Sequence, residues 1–495
     1  MKLHINGEIN EYYVQTLCMI FFPGEKFSGE AEEGEPILYL DVTENEEGIT
    51  AAARLCYQGK ETSATKLQPH SDEFTKDRAR KIVIGRALLS AVGEMLHYRP
   101  SWGMLTGVRP SKVATELLLK GYSKTRARKH LSTNYMVIPK KAALAVDVAL
   151  REQQIIGTPD KRDCSVYISI PFCPTRCSYC SFVSYTSKRL LSLIPDYLTL
   201  LCEEIRAKFQ TIKELGLRVV TVYIGGGTPT ILDAMQLRAL LSVIDECTDV
   251  SALREFTLES GRPDTIDAEK MAIAKAYGVT RVCVNPQTLC EEVLQGVGRC
   301  HSVKDFYNAY DIARKSGIDC INTDLIVGLP GDTFNTFART YDEILQLAPE
   351  NITVHTFCVK KAAEILREGR RVYNLRGGDA GKCVDYSQIR AADMGYLPYY
   401  MYRQKNMVGN FENVGFAKEG TECLYNIYMM EEVHSIFAAG AGAVTKLVEY
   451  APAESGKKSV IRRLFNDKYP YEYLNSDGGK AQADQIVQFY RERDF

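Results

Sequence analysis

Two patterns of apolar and polar positions divide this chain. Up to about residue 60, the apolar runs YYVQTLCMIFF, PILYLDV and ITAAARLCY are separated by clusters of Gly, Glu and Asn, which predicts strands. Helical spacing follows. Ile82, Leu88, Leu89, Val92 and Leu96 recur along one face, a second helix runs from Ser111 to a stop at Gly121, and a third runs from Pro139 to about Gln153. These elements predict an α/β or α+β domain over residues 1–160, and the polar GTPDKRD at 157–163 reads as the linker that closes it.

Beyond the linker, six short apolar runs alternate with helical stretches: CSVYISI, VVTVYI, EFTLE, TRVCVN, INTDLIVG and NITVHTF. The helices between them are predicted near 190–215, 233–245, 267–277, 303–316 and 333–347. Such alternation predicts parallel strands with crossover helices, an open or closed β/α barrel over residues 161–385 with its active residues at the carboxyl ends of the strands. A third region, 386–495, is predicted to be mixed and mainly helical, with an irregular aromatic start, a helix around 424–437 and a glycine-rich AAGAGAV at 438–444.

Composition narrows the class. A length of 495 residues exceeds one ordinary core, and 45% apolar with 25% charged residues is the balance of a folded, water-exposed protein. Lys plus Arg (61) nearly cancels Asp plus Glu (62), so no global field favours nucleic acid or an anionic membrane. The opening segment lacks a cleavage site of small residues, and no apolar run is long enough to span a bilayer, so a cytoplasmic location is expected. Fifteen cysteines, an odd number scattered along the chain, read as free thiols rather than a disulfide framework. Cys18, Cys56, Cys283 and Cys320 lie inside apolar runs as small core residues.

One cysteine cluster is different. Cys173-Pro-Thr-Arg-Cys177-Ser-Tyr-Cys180 directly follows the first barrel strand. Soft thiolates suit an iron-sulfur cluster or zinc, but structural zinc takes four ligands and this loop has no nearby His or fourth Cys. Three thiolates bind three irons of a cubane and leave the fourth open.

The CxxxCxxC spacing, with an aromatic residue before the third Cys, resembles the radical S-adenosylmethionine (SAM) superfamily. The motifs YISIPFC (167–173), GGGTPT (225–230) and TDLIVGLP (323–330), with Glu259, Gln287 and Arg299, resemble its oxygen-independent coproporphyrinogen III oxidase group. SWGMLTGVRPSK (101–112), NPQT (285–288) and PYYMYRQKNMVGNFENVGF (398–416) are similar to the HemZ-type coproporphyrinogen dehydrogenase branch, which extends the likeness over nearly the whole chain. The resemblance implies a partial (β/α)6 barrel and two cofactors, a 4Fe-4S cluster on Cys173, Cys177 and Cys180 and SAM on its open iron. An electron from the cluster would cleave the sulfonium to a 5'-deoxyadenosyl radical.

The same resemblance assigns a SAM pocket. Gly226, Gly227 and Thr228 would meet the amino group of the methionine moiety, and Gly227→Val is expected to fill that space while sparing the cluster. Glu259 and Asp324 lie in apolar surroundings, where a carboxylate needs either a ligand or a salt bridge, and the resemblance gives them to SAM. Gln287 and Arg299 would bind its carboxylate and ribose side, with Tyr167 and Tyr179 completing the pocket. No catalytic residue is assigned: His355 reads as a core histidine, and His301 as either core or site. Tyr399, Tyr400, Tyr402, Arg403 and Lys405 combine aromatic area with positive charge, as a tetrapyrrole with carboxylate arms would require, although ordinary packing suits each of them equally.

The implied function is oxidative decarboxylation of coproporphyrinogen III to protoporphyrinogen IX, propionate becoming vinyl, with electrons from a reductase, flavodoxin or ferredoxin. The alternatives are a haem-binding delivery protein of the same group and another radical reaction on a tetrapyrrole, such as haem methylation linked to ring opening. Two positions depart from the best-defined decarboxylase pattern: Phe182 stands where that pattern has a fourth Cys, and Ser169 where it has a His. Neither replacement supplies the lost chemistry, so slow turnover is expected unless Cys300 or His301 substitutes in space.

Overall fold

The computed structural model describes residues 1–23, 25–27, 34–107, 109–180, 182–358, 378–404, 407–451 and 459–493. They form two compact units, Met1–Ala149 with Met401–Glu412, and Leu150–Tyr400 with Asn413–Phe495. The three-domain division at 160 and 385 stays a proposal.

In the first unit the chain runs through β1 (Lys2–Asn6), α1 (Glu11–Phe21), β2 (Ile37–Asn45), β3 (Gly48–Tyr57), β4 (Lys60–Pro69), α2 (Lys76–Leu96), α3 (Pro110–Leu119), α4 (Lys124–Asn134) and α5 (Pro139–Ile156), the last of which continues past Ala149. The four strands lie in the order β1-β2-β3-β4, with β1 parallel to β2 and the other pairs antiparallel. Alternate residues Leu38, Leu40 and Val42 of β2 and Ile49, Ala51, Ala53 and Leu55 of β3 are buried, and α2 covers β3 and β4.

The run YYVQTLCMIFF is a helix, α1, and not the strand its aromatic residues suggest. Asn10 caps it by accepting from the Tyr13 amide, and the buried Val14, Leu17 and Cys18 have the i, i+3, i+4 spacing of a helical stripe.

Two motifs without evident chemistry have a structural role in this unit. Trp102 donates Nε1 to Glu412 at 2.7 Å, Lys141 pairs with the same carboxylate at 2.5 Å, and both ends of that ion pair are fully buried. Arg403, 3% exposed, lies 5.7 Å over the Trp102 ring and donates to the Leu105 carbonyl. Arg403 and Glu412 thus pack on Trp102 of the SWGM motif as part of the same core.

The second unit contains all six predicted barrel strands. Its elements are β5 (Asp163–Ile170), α6 (Lys188–Leu191), α7 (Ile194–Glu214), β6 (Arg218–Gly226), α8 (Ala234–Cys247), β7 (Glu255–Leu258), α9 (Ala268–Ala276), β8 (Arg281–Cys283), α10 (Glu291–Gly296), α11 (Val303–Lys315), β9 (Cys320–Val327), α12 (Phe334–Leu347) and β10 (Asn351–Thr356). There follow α13 (Gly378–Asp393), β11 (Leu397–Tyr402), β12 (Asn413–Ala417), α14 (Leu424–Glu431), β13 (Ser435–Ala439), β14 (Val444–Glu449), β15 (Val460–Phe465), α15 (Pro470–Leu474) and α16 (Lys480–Arg491).

Strands β5 to β10 are parallel neighbours in sequence order, which is the partial barrel expected. The barrel is open because its end strands are bordered by others: β13 runs parallel to β5, with β14 and β15 beyond it, and β12 runs antiparallel to β10, with β11 beyond. The C-terminal region is therefore mixed, its strands extending the barrel sheet at both edges. The helix expected around 424–437 is shorter, because Glu432 takes a left-handed backbone at the end of α14 and β13 follows.

All fifteen cysteines are free; Cys18 and Cys283 are buried, Cys56 and Cys320 half-buried. Among the described residues no helix is long and apolar enough to cross a membrane.

Candidate active site

The loop after β5 folds back on itself: the Cys173 amide donates to the Tyr185 carbonyl at 3.1 Å, and the Tyr185 amide to the Pro171 carbonyl at 2.8 Å. Within it the Cys180 amide bonds the Cys177 carbonyl at 3.0 Å, and the Ser178 amide reaches Val297 at 3.0 Å. Three cysteines are thereby held on one short loop, Cys173 and Cys177 buried and Cys180 half-buried. Burial pushes the Cys173 thiol up to about 11, the nearby Thr228 hydroxyl opposing it, and burial likewise raises Cys180. Metal binding at this loop must therefore release protons. Among the described residues no three His, Cys, Asp or Glu converge on a single ion-sized point, and a cubane does not require it, because each thiolate bonds its own iron.

The glycine loop at the end of β6 lies directly against the cysteine loop. Its Gly227 amide donates to Ile170 O, and the Thr228 amide to Phe172 O, each at 2.8 Å. A Cβ on Gly227 would stand 2.5 Å from the Phe172 carbonyl oxygen and 3.0 Å from Cys173 Sγ. Thus a substitution there presses on the cluster loop first, and the expectation that Gly227→Val would spare the cluster is corrected. Gly227→Ala is expected to lower iron and acid-labile sulfide per chain after reconstitution, and a full complement of both would show that the loop yields without losing its shape. Gly226 has φ +114°, and a Cβ there would meet Ile170.

Glu259 follows β7 and is half-buried. Burial first, and Asp324 second, push its carboxyl up to about 8, with a bond from the Gly226 backbone opposing them. Asp324, on β9, is held by Asn285, which donates Nδ2 to its Oδ2 at 3.0 Å and accepts the Asp324 amide at 3.0 Å. The His355 Nε2 on β10 is 3.7 Å from the same Oδ2.

Arg299, 7% exposed, donates to Tyr179 OH at 3.2 Å, to Asn285 O at 2.6 Å and to Gly261 O at 3.4 Å. Gln287 has φ +68°, a backbone state costing of order 1 kcal/mol or more for a residue with a Cβ. Two bonds to β9 hold it there: its amide donates to Asp324 O at 3.1 Å, and its carbonyl accepts from Ile326 at 3.0 Å. The Gln287 Oε1 is buried with no partner among the described residues. Tyr167 stacks with Tyr223 and Tyr425 at 6.1 Å between ring centroids, those two stack on each other at 4.6 Å, and a Cβ on Gly225 would meet Glu259 Oε2 and Tyr223 at 2.7 Å and Tyr167 at 3.2 Å.

Every residue expected at the site therefore lies on β5 to β9 or in the loops after them. Sequence reasoning gave Asn285 and Arg262 no role and read His355 as a core histidine, whereas its ring faces Asp324. Asn285 sits in the NPQT motif, whose only visible signal was resemblance; Arg262 and His355 gain meaning only from partners distant in sequence. His301 is buried with both ring nitrogens unpartnered among the described residues, and burial, aided by Arg299, pushes it down to about 4. Cys300 is exposed, and its Sγ is 3.8 Å from Thr175. The Ser169 hydroxyl donates to Ala441 O at 3.0 Å, whereas Phe182 is 68% exposed. Of the residues considered for the substrate, Tyr399 and Tyr400 are buried against each other, Arg403 is used inside the first unit, and Lys405 lies outside the described residues.

The donor set fits the expected cofactors: three thiols on one loop, a glycine strip with no space for a side chain, a carboxyl raised by its surroundings and an amide oxygen unpaired among the described residues. Fold and site define a radical SAM protein, and residues 167–344 match that superfamily. Its cofactors are a 4Fe-4S cluster and SAM. The chain is 34% identical over 470 residues to the oxygen-independent coproporphyrinogen-III oxidase-like protein HemZ of Bacillus subtilis, covering 93% of this chain and 92% of that one. It belongs to this HemZ-type family. It is also similar to the haem chaperone HemW of Bacillus subtilis, 32% identical over 313 residues, 62% of this chain and 77% of that one. Its fold resembles that of the coproporphyrinogen III oxidase HemN of Escherichia coli, a radical SAM enzyme, at a TM-score of 0.50 and 20% identity, covering 68% of this chain and 72% of the other.

Proposed function

We propose that Cys173, Cys177 and Cys180 hold the cluster, that Tyr167, Tyr179, Gly226, Gly227, Thr228, Glu259, Gln287, Arg299 and Asp324 form the SAM pocket, and that the chain oxidatively decarboxylates coproporphyrinogen III. The observation that carries the reading is the arrival of the thiol loop after β5, the glycine strip at the end of β6 and Glu259 after β7 at three successive strand ends of one open barrel, with Asp324 of β9 acting on Glu259. Bound together, cluster and SAM would supply a radical able to take hydrogen from the β-carbon of a propionate arm, after which carbon dioxide would leave and an external one-electron acceptor would take the remaining electron, giving vinyl. The chain's own residues align the ligand. Gly225 to Gly227 allow backbone contact, Glu259 offers a carboxylate once its proton leaves, and Gln287 Oε1 offers an acceptor left unpaired by the described residues. The cluster takes its electron from a reductase, flavodoxin or ferredoxin.

A second reading, haem binding and delivery, is supported by the HemW relatives and by Ser169, whose hydroxyl is committed to Ala441. Reconstituted, reduced protein with SAM should be given coproporphyrinogen III under argon and, separately, haem. Carbon dioxide and protoporphyrinogen IX are expected in the first mixture, at a low rate. Tight haem binding with no product from coproporphyrinogen III would favour delivery instead, and a methylated or ring-opened product would indicate the third chemistry.

A further inference from the structure

Arg262 lies in the loop after β7, three residues beyond Glu259, and is 3% exposed. Its Nε and Nη2 fork onto the two oxygens of Asp264, each at 2.9 Å. That fixes the plane of the guanidinium and leaves Nη1 facing the cysteine loop, 3.4 Å from the Thr175 carbonyl and 3.8 Å from Cys177 Sγ, within reach for a bond to sulfur. Two further basic side chains nearby are accounted for: Arg299 is tied to Tyr179 and Asn285, and His301 is held neutral near physiological pH by burial.

We propose that Arg262 is a positioning residue that donates Nη1 to the Cys177 sulfur and raises the reduction potential of the cluster, with Asp264 as its opposing charge. The proposal rests on Cys177 being a cluster ligand. Reduction adds one electron to the cluster, and a fixed cation and an N–H donor at a ligating sulfur stabilise the more negative state. In a buried site that interaction is poorly screened. Asp264 acts in the opposite sense, since it brings a negative charge into the same layer while it aims the guanidinium. Because Arg stays charged at all accessible pH, the effect is a fixed offset rather than a switch.

The test uses the full chain, reconstituted anaerobically, with iron and sulfide counted per chain and the cluster titrated potentiometrically by electron paramagnetic resonance without SAM. In Arg262→Gln the ratio of reduced to oxidised cluster at a fixed potential should fall by about tenfold, which is a midpoint about 59 mV more negative for a one-electron couple. Arg262→Lys should recover part of the shift. Asp264→Asn should move the midpoint the other way, an outcome that a merely structural role for the pair does not produce. Full clusters with unmoved midpoints, or shifts of the same sign in Arg262→Gln and Asp264→Asn, would overturn the proposal. Where Arg262→Gln holds no cluster, the sign in Asp264→Asn decides. A wild-type chain that takes up no cluster would instead remove the ligand assignment itself.

Discussion

Single replacement of Cys173, Cys177 or Cys180 by Ala should abolish both the broad iron-sulfur absorbance and the release of 5'-deoxyadenosine. On the proposed assignment each thiol bonds a different iron, and amide bonds to the Tyr185 and Val297 carbonyls hold the backbone of the loop that carries them. The loop should thus keep its path in each variant, which makes the loss a matter of ligation. Disturbing a residue behind a metal ligand typically costs about 10- to 100-fold, so removing the ligand should exceed 100-fold in SAM cleavage. Retention of the full iron complement and cleavage by any one variant would remove that cysteine from the cluster. Stoichiometric zinc with no labile sulfide in anaerobically purified protein would remove the cluster altogether.

The barrel was legible because its signal is repetitive. Six apolar runs separated by helices, with a chemical motif just past the first, constrain the order of strands before any contact is known. The sites of error lack that repetition. In α1, the aromatic and β-branched residues that suggested a strand share the segment with the helical stripe of Val14, Leu17 and Cys18, and only the Asn10 cap distinguishes the two. Gly227 was expected to guard ligand space. Its tightest neighbour is the Phe172 carbonyl, a contact set by how the β5 and β6 loops pack, and no local pattern encodes it. Arg262 lies in no motif that the sequence singles out; its burial and its approach to Cys177 appear only once the loops after β5 and β7 are side by side.

SAM binding should depend on pH through Glu259. In the ligand-free chain this carboxyl is pushed up to about 8 by burial and by Asp324, so near pH 6 only about 1% is ionised. A ligand that offers hydroxyl donors or positive charge prefers the carboxylate. Its apparent affinity should then rise nearly tenfold per pH unit from 6 to 8 and level off above. Folding shows the opposite sign. A carboxyl raised from 4.5 to about 8 gives stability that is complete below 4.5 and is lost as pH climbs through 8. Glu259→Gln cannot ionise, so it should melt higher than the wild type at pH 8 in the absence of ligand, with the gap closing toward pH 5, while binding SAM weakly and without the pH slope. Asp324→Asn removes the second cause of the shift and should move the binding midpoint below 8, at some loss of affinity. Equilibrium dialysis with labelled SAM across pH 6 to 9, paired with melting curves of the ligand-free chains, measures both signs. A wild-type affinity that is flat with pH, or a Glu259→Gln variant that melts lower at pH 8 than at pH 5 relative to the wild type, would show that Glu259 is already ionised in the free chain and held by a partner other than the ligand.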